Sequence, residues 1–107
     1  MKRLPITFFL PVALFAAGSA AQAQDPVSRG QLLVAQFCSR CHAVGMRDKS
    51  KHLAAPPFRT PGLTVDLDDF PRVLERGISG GHPDMPEFKF SRDDALAVRA
   101  YLRVIQQ

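Results

Sequence analysis

Two cysteines and a histidine, close together in the first half of the chain, carry its strongest chemical signal. Cys38-Ser39-Arg40-Cys41-His42 has the C-x-x-C-H spacing of a c-type haem attachment motif. Two thiols three residues apart, on a turn that continues a helix, can reach the two vinyl groups along one porphyrin edge and form thioethers. His42 is then held under the iron and can serve as its ligand. We therefore predict one covalent haem c bound by Cys38, Cys41 and His42.

Three other uses of the same motif have to be compared with haem attachment. A disulfide between Cys38 and Cys41 would be stable in an oxidising compartment. A thioredoxin-like redox motif predicts a βαβ pattern around the C-x-x-C, and the sequence contains no such pattern. A structural zinc site needs a second pair of ligands at a defined spacing, which His52 and His82 do not provide.

The first 23 residues have the three parts of a secretory signal peptide. Lys2 and Arg3 form a basic start, an uncharged apolar run extends from Leu4 to Gly18, and Ala21-Gln22-Ala23 has the small-x-small pattern of a cleavage site. A membrane-spanning helix needs about 20 apolar residues, whereas this run is shorter and contains two prolines. We expect cleavage near Ala23, no stable membrane insertion, and a periplasmic mature protein consisting of one domain, residues 24–107.

The charge of the chain excludes one class of partner. The full sequence has 14 basic and 10 acidic side chains, a formal net charge of +4. Removal of Lys2 and Arg3 with the signal peptide leaves 12 basic side chains against 10, a net charge of +2. The sequence has no dense stripe of Lys and Arg, so we expect no nucleic-acid partner.

The sequence predicts helices that would position the motif, and the first two are as follows. The first covers about Val27 to Phe37, with Ser28 as its predicted cap, and ends directly before Cys38. The second is short, from Phe70 to Arg76, with Pro71 in its first turn and Gly77 just past its end.

The third helical segment is the clearest of the three. Ser91 and Asp94 have the spacing of a capping box. The residues at i, i+3, i+4 and i+7 that follow form one apolar stripe: Val98, Tyr101, Leu102 and Ile105. Since no stretch alternates as a strand would, we predict an all-α domain.

Long Pro- and Gly-rich connections, 43–69 and 77–90, separate the helices. Loops of this length in so small a domain usually enclose something or have a function. A mature chain of this size can also bury only a small hydrophobic core. Small domains therefore often need a bound group for stability. We therefore expect the chain to fold poorly without its cofactor.

Over nearly its whole mature length, the chain resembles a short bacterial class I cytochrome c. Gly30, eight residues before Cys38, matches the family's glycine in the first helix, and Tyr101-Leu102 match the aromatic-Leu pair of the last helix. The resemblance implies that these two helices cross closely and that the loops wrap around one covalent haem.

The resemblance also implies roles for three loop residues. The carbonyl of Pro56 would accept the second ring N–H of His42, and Arg59 would lie near a haem propionate. Met85 stands in a Met-Pro before the last helix, where the family has its second axial ligand. His82 is the alternative ligand, whereas Met46 follows His42 too closely to leave the proximal side.

Ligation of the iron by His42 and Met85 leaves no open coordination position, which is typical of an electron carrier rather than an enzyme. The resemblance implies transfer of single electrons by Fe(III)/Fe(II) cycling between redox partner proteins. The donor would be a dehydrogenase or membrane complex, and the acceptor an oxidase or reductase. Two alternatives are a haem subunit of a larger oxidoreductase complex and, if Met85 is not a ligand, a haem-based ligand binder or sensor.

Overall fold

The computed structural model describes residues 2–14, 25–61, 66–79 and 81–107. Its helices are α1 (Pro26–Phe37), α2 (Phe70–Arg76) and α3 (Arg92–Ile105). Within these described ranges there is no β-strand, and the β-type pairing is limited to one isolated antiparallel bridge between Ile78 and Phe88. The prediction of an all-α domain is therefore confirmed for the part of the chain that is described.

Helix α1 begins one residue earlier than predicted, with a different cap. The carboxylate of Asp25 accepts the backbone N–H groups of Val27 at 3.1 Å and Ser28 at 3.2 Å. Pro26 takes the first helical position, where its missing N–H is not needed. The Ser28 hydroxyl itself donates to Asp25 at 2.5 Å, so the prediction that Ser28 caps α1 is wrong. The hydrogen bonds that Asp25 accepts from the Ser28 hydroxyl, the Ser28 N–H and the Val27 N–H lower the pKa of the Asp25 carboxyl.

The predicted bounds of α2 and the predicted cap of α3 are confirmed. Pro71 lies in the first turn of α2, and Gly77 ends the helix at a φ of 110°, a backbone conformation that favours glycine. At the start of α3, the Ser91 hydroxyl oxygen accepts the backbone N–H of Asp94 at 3.2 Å. The end of α2 and the start of α3 therefore lie where local capping chemistry places them.

The core lies between α3 and the other two helices. The four residues of the predicted stripe on α3 are all buried, which confirms that prediction: Val98, Tyr101, Leu102 and Ile105. They pack with Leu33 and Val34 of α1 and with Leu74 of α2. An ion pair between Arg29 and Asp94, with N and O 3.2 Å apart, adds a polar contact at the edge of the α1–α3 interface.

Gly30, a buried residue of α1, lies directly against the backbone of α3. A Cβ atom added to Gly30 would overlap the backbone carbonyl of Ala97 and lie 2.9 Å from the Cβ of Tyr101. Since real Cβ atoms essentially never come so close to their neighbours, only glycine fits at this position without a shift of α1 or α3.

The N-terminal segment contributes no helix in residues 2–14, and its apolar side chains there are exposed. The predicted cleavage site at Ala21-Gln22-Ala23 lies outside the described residues. Among the helices of the described chain, none has the length and apolar character needed to cross a membrane.

Candidate functional site

The C-x-x-C-H motif forms a tight turn that continues α1. The Cys38 N–H still donates to the carbonyl of Val34 at 2.9 Å. The Cys38 carbonyl then accepts two N–H groups, from Cys41 at 3.3 Å and from His42 at 2.9 Å. These hydrogen bonds fix the backbone that carries the two thiols and the imidazole at the end of α1.

The two thiols are not joined as a disulfide. Burial raises the pKa of Cys38 to about 11, so its sulfur is protonated at neutral pH. Redox-active and metal-binding cysteines act as thiolates and usually have a lowered pKa. The surroundings of Cys38 are therefore not typical of a thioredoxin-like or thiolate-metal site.

The ring of His42 is held in one orientation by two neighbours. Its Nδ1 lies 2.8 Å from the carbonyl oxygen of Pro56. Because a carbonyl can only accept a hydrogen bond, Nδ1 carries the proton in the neutral imidazole, whose lone pair is then on Nε2. The Phe58 ring packs against the imidazole, with centroids 4.6 Å apart. His42 is therefore prepared to act as a ligand through Nε2.

Backbone contacts tie the segment after the motif to the rest of the domain. The Phe58 N–H donates to the carbonyl of Ala43 at 2.9 Å, and the Ala43 N–H donates to the hydroxyl of Ser50 at 2.9 Å. From α3, the Tyr101 hydroxyl donates to the carbonyl of Val44. Burial raises the pKa of Tyr101, so the phenol remains protonated as this contact requires.

A cavity of about 630 Å³ opens beside the motif, and much of its wall is apolar. Five of the predicted site residues line it: Cys38, Cys41, His42, Pro56 and Met85. Side chains of the helices and of the loop after the motif form its apolar wall, among them Val34, Phe37, Phe58, Leu74, Val98 and Leu102. The volume lies within the range of roughly 300–1,000 Å³ that is usual for sites of small organic ligands and cofactors.

Arg59 is the one predicted site residue that does not line the cavity. Its guanidinium donates to the carbonyl of Asp48 at 2.7 Å and to that of Gly45 at 3.4 Å. It also lies 3.7 Å from the Asp48 carboxylate. Arg59 therefore stabilises the 45–48 turn, and its contact with a propionate stays a prediction. Among the described residues, the arginine that does line the cavity is Arg40.

Met85 and His82 both line the cavity from the loop before α3. Within this loop, His82 accepts two N–H groups, from Met85 at its carbonyl (3.1 Å) and from Asp84 at its Nδ1 (3.2 Å). Met46, by contrast, is 58% exposed and is not part of the cavity wall. Met85 and His82 thus remain the two predicted candidates for a second axial ligand.

Sequence reasoning missed the contributions of Phe58 and of His52. An aromatic residue two positions after Pro56 was a usable signal for Phe58, since Pro56 was already predicted to contact His42. His52, considered only as a poor zinc ligand, lines the cavity and contacts Asp84, 32 residues further along. No periodicity or motif spacing connects two loop residues so far apart.

In the described ranges, no group of three or more His, Cys, Asp or Glu side chains is arranged to hold a metal ion. Comparison of the chain with protein-family models, with curated proteins and with solved structures finds no match. Its function must therefore be inferred from its own residues and their geometry.

Proposed function

We propose that this chain is a small c-type cytochrome that carries one covalent haem c and transfers single electrons between redox partner proteins in the periplasm. The observation that carries the proposal is the meeting of four residues at one largely apolar cavity. These are the C-x-x-C-H residues Cys38, Cys41 and His42, and Met85 from the other loop. Electron transfer itself needs no further catalytic side chain.

The donor set fits a haem better than it fits a bare metal ion. A haem iron takes only its axial ligands from protein side chains, so one imidazole and one thioether are enough. A structural zinc ion, in contrast, needs four protein ligands. When bound, the haem supplies reversible one-electron chemistry at its iron. Cys38 and Cys41 would attach it, and His42 and Met85 would be the axial ligands.

The surroundings of His42 support its role as the proximal ligand. The contact between its Nδ1 and the Pro56 carbonyl selects the tautomer of the neutral ring whose lone pair is on Nε2, and it makes the imidazole a better ligand. The Phe58 ring restricts rotation of the imidazole on one side. Both effects orient the ring before any cofactor is attached.

The packing of α1 against α3 supports the finer features of the family fold. We infer that the two helices cross at Gly30, because their backbones can approach so closely only where one of them has no side chain. The connections 43–69 and 77–90 would then enclose the haem between this helix pair and α2. Arg59 stays a candidate for the propionate contact.

Export and function are linked in this proposal. The signal peptide, residues 1–23, would direct the chain to the periplasm, where the mature protein of residues 24–107 would receive its haem and meet its partners. A dehydrogenase or membrane complex would reduce it, and an oxidase or reductase would oxidise it. The cytochrome would carry the electron and would not be an enzyme by itself.

Covalent attachment is tested by acid-acetone extraction of the purified coloured protein. We expect the pigment to stay on the polypeptide, and the intact mass to equal residues 24–107 plus one haem. A variant with both Cys38→Ala and Cys41→Ala should release any pigment into the solvent. A wild-type pellet that turns colourless, with free haem in the solvent, would overturn the proposal.

The sixth ligand is tested by three matched variants. Met85→Ala should abolish the near-infrared sulfur-to-iron charge-transfer band, lower the reduction potential and open the iron to carbon monoxide, because a thioether favours Fe(II) and fills the position. Met46→Ala, which changes an exposed methionine outside the cavity wall, should change none of these. If the wild type lacks the band, and His82→Ala changes the reduction potential while Met85→Ala does not, the ligand is His82.

A further inference from the structure

His52 connects the attachment motif to the loop that carries Met85. Its backbone N–H donates to the carbonyl of Cys41 at 3.1 Å. Its ring Nε2 lies 3.0 Å from the carboxylate of Asp84, 32 residues later in the chain and next to Met85. His52 therefore makes hydrogen bonds to two residues of the cavity wall, Cys41 in the motif and Asp84 in the Met85 loop.

The hydrogen-bond partners of His52 define how its ring is protonated. The Ala54 N–H donates to Nδ1 at 3.0 Å, so Nδ1 must hold a lone pair. The single ring proton is then on Nε2, which donates it to Asp84. With both nitrogens engaged, the ring of His52 has one orientation, and its bond to a charged acceptor is stronger than a neutral one.

The Met85 loop has few other attachments of this kind. In the described part of the chain, the His52–Asp84 bond is the one side-chain hydrogen bond that joins residues 81–86 to another segment. The loop's own bonds are internal, since the N–H groups of Asp84 and Met85 both donate to His82. The His52 ring also packs edge-on against the His82 ring, with centroids 5.5 Å apart.

We propose that His52 is a positioning residue, which keeps Met85 in the cavity wall by holding the neighbouring Asp84. This inference rests on the proposed function for the identity of the group that Met85 faces. Loss of the His52–Asp84 bond lets residues 82–85 move away from the cavity more often. Because a hydrogen bond of this kind contributes on the order of 1 kcal/mol, the opening equilibrium increases about fivefold.

Amide hydrogen exchange of the purified protein measures this opening directly. We expect His52→Ala and Asp84→Ala each to accelerate exchange of the Met85 amide about fivefold. The double variant should exchange no faster than either single variant, because both remove the same bond. His52→Gln, whose amide N–H can still donate to the carboxylate, should restore much of the protection.

Arg103→Ala is the matched control. Arg103 also makes an exposed ion pair with a distant residue, Asp68, at 2.6 Å, but it does not touch the Met85 loop. This variant should leave Met85 exchange unchanged. Equal acceleration in Arg103→Ala, unchanged exchange in His52→Ala, or additive effects in the double variant would each overturn the proposal.

A second readout uses the coloured protein. Added imidazole must displace Met85 to bind the oxidised iron, so His52→Ala should bind it about fivefold more tightly than wild type, while Arg103→Ala should match wild type. If wild type carries no covalent pigment, the proposed function fails, yet the exchange comparison still decides whether His52 positions the loop. Pigmented protein with unchanged exchange and imidazole affinity in His52→Ala would overturn this inference alone.

Discussion

Replacement of Gly30 by alanine tests how closely α1 approaches α3. At an open helical position this change stabilises a protein by about 1 kcal/mol, because alanine is the better helix former. Here the added Cβ would overlap the Ala97 carbonyl and lie 2.9 Å from the Cβ of Tyr101. The structure therefore predicts the opposite sign.

The magnitude follows from which atom is crowded. Overpacking of a core costs about 1–3 kcal/mol. Ala97 presents a backbone carbonyl, which cannot rotate away as a side chain does, so the upper part of that range applies to Gly30→Ala. After subtraction of the gain in helix propensity, we expect the free energy of unfolding to fall by about 2 kcal/mol.

Urea unfolding followed by far-ultraviolet circular dichroism measures the change. With a slope of about 1 kcal/mol per molar urea, the midpoint of Gly30→Ala should fall by about 2 M. Ala35→Gly, at an exposed position of the same helix, measures what glycine alone costs there, about 1 kcal/mol. If Gly30→Ala raises the midpoint by as much as Ala35→Gly lowers it, the close approach of the helices is refuted.

Three further changes test the helix cap, a buried hydroxyl and the dependence of folding on the cofactor. The pKa of Asp25 is lowered in the folded state, so its stabilisation is present above its unfolded value of 3.8 and is lost as pH falls through the folded pKa. Asp25→Ala should therefore lower the melting temperature at neutral pH but not in strong acid; a difference that persists in acid would contradict this. Tyr101→Phe removes the bond to the Val44 carbonyl and should cost about 1 kcal/mol in urea unfolding; a midpoint equal to wild type would show that the bond contributes nothing. The Cys38→Ala, Cys41→Ala double variant, prepared without haem, should lack a cooperative thermal transition because its cavity stays unfilled, and cooperative melting near the wild-type temperature would refute that expectation.

The helices could be predicted because their boundaries depend on neighbouring residues. Pro71 and Gly77 delimit α2, and Ser91 with the apolar stripe delimits α3. The start of α1 was mispredicted although Asp25-Pro26 carried the signal. The residue before a proline favours an extended conformation, and Asp25 has a ψ of 142°. The Asp25-Pro26 dipeptide is therefore the local signal that indicates a cap at Asp25.

The site was predictable only where the residues that contribute to it are close in sequence. The C-x-x-C-H motif is local, so its turn could be anticipated from its spacing. The partner of Arg59 could not, because a long side chain can reach several acceptors, and here the carbonyls of the 45–48 turn lie within its reach. The His52–Asp84 contact joins two irregular loops, where no periodic pattern relates one residue to another.

The pairing of α1 with α3 has a consequence for the order in which the chain can fold. Arg29 in α1 bonds Asp94 in α3, 65 residues later, and closing a flexible loop of that length costs roughly 4 kcal/mol of chain entropy. Contacts between distant residues slow folding. A nascent chain that ends before α3 leaves Leu33 and Val34 exposed to solvent. The domain therefore acquires its core only when its last helix is available.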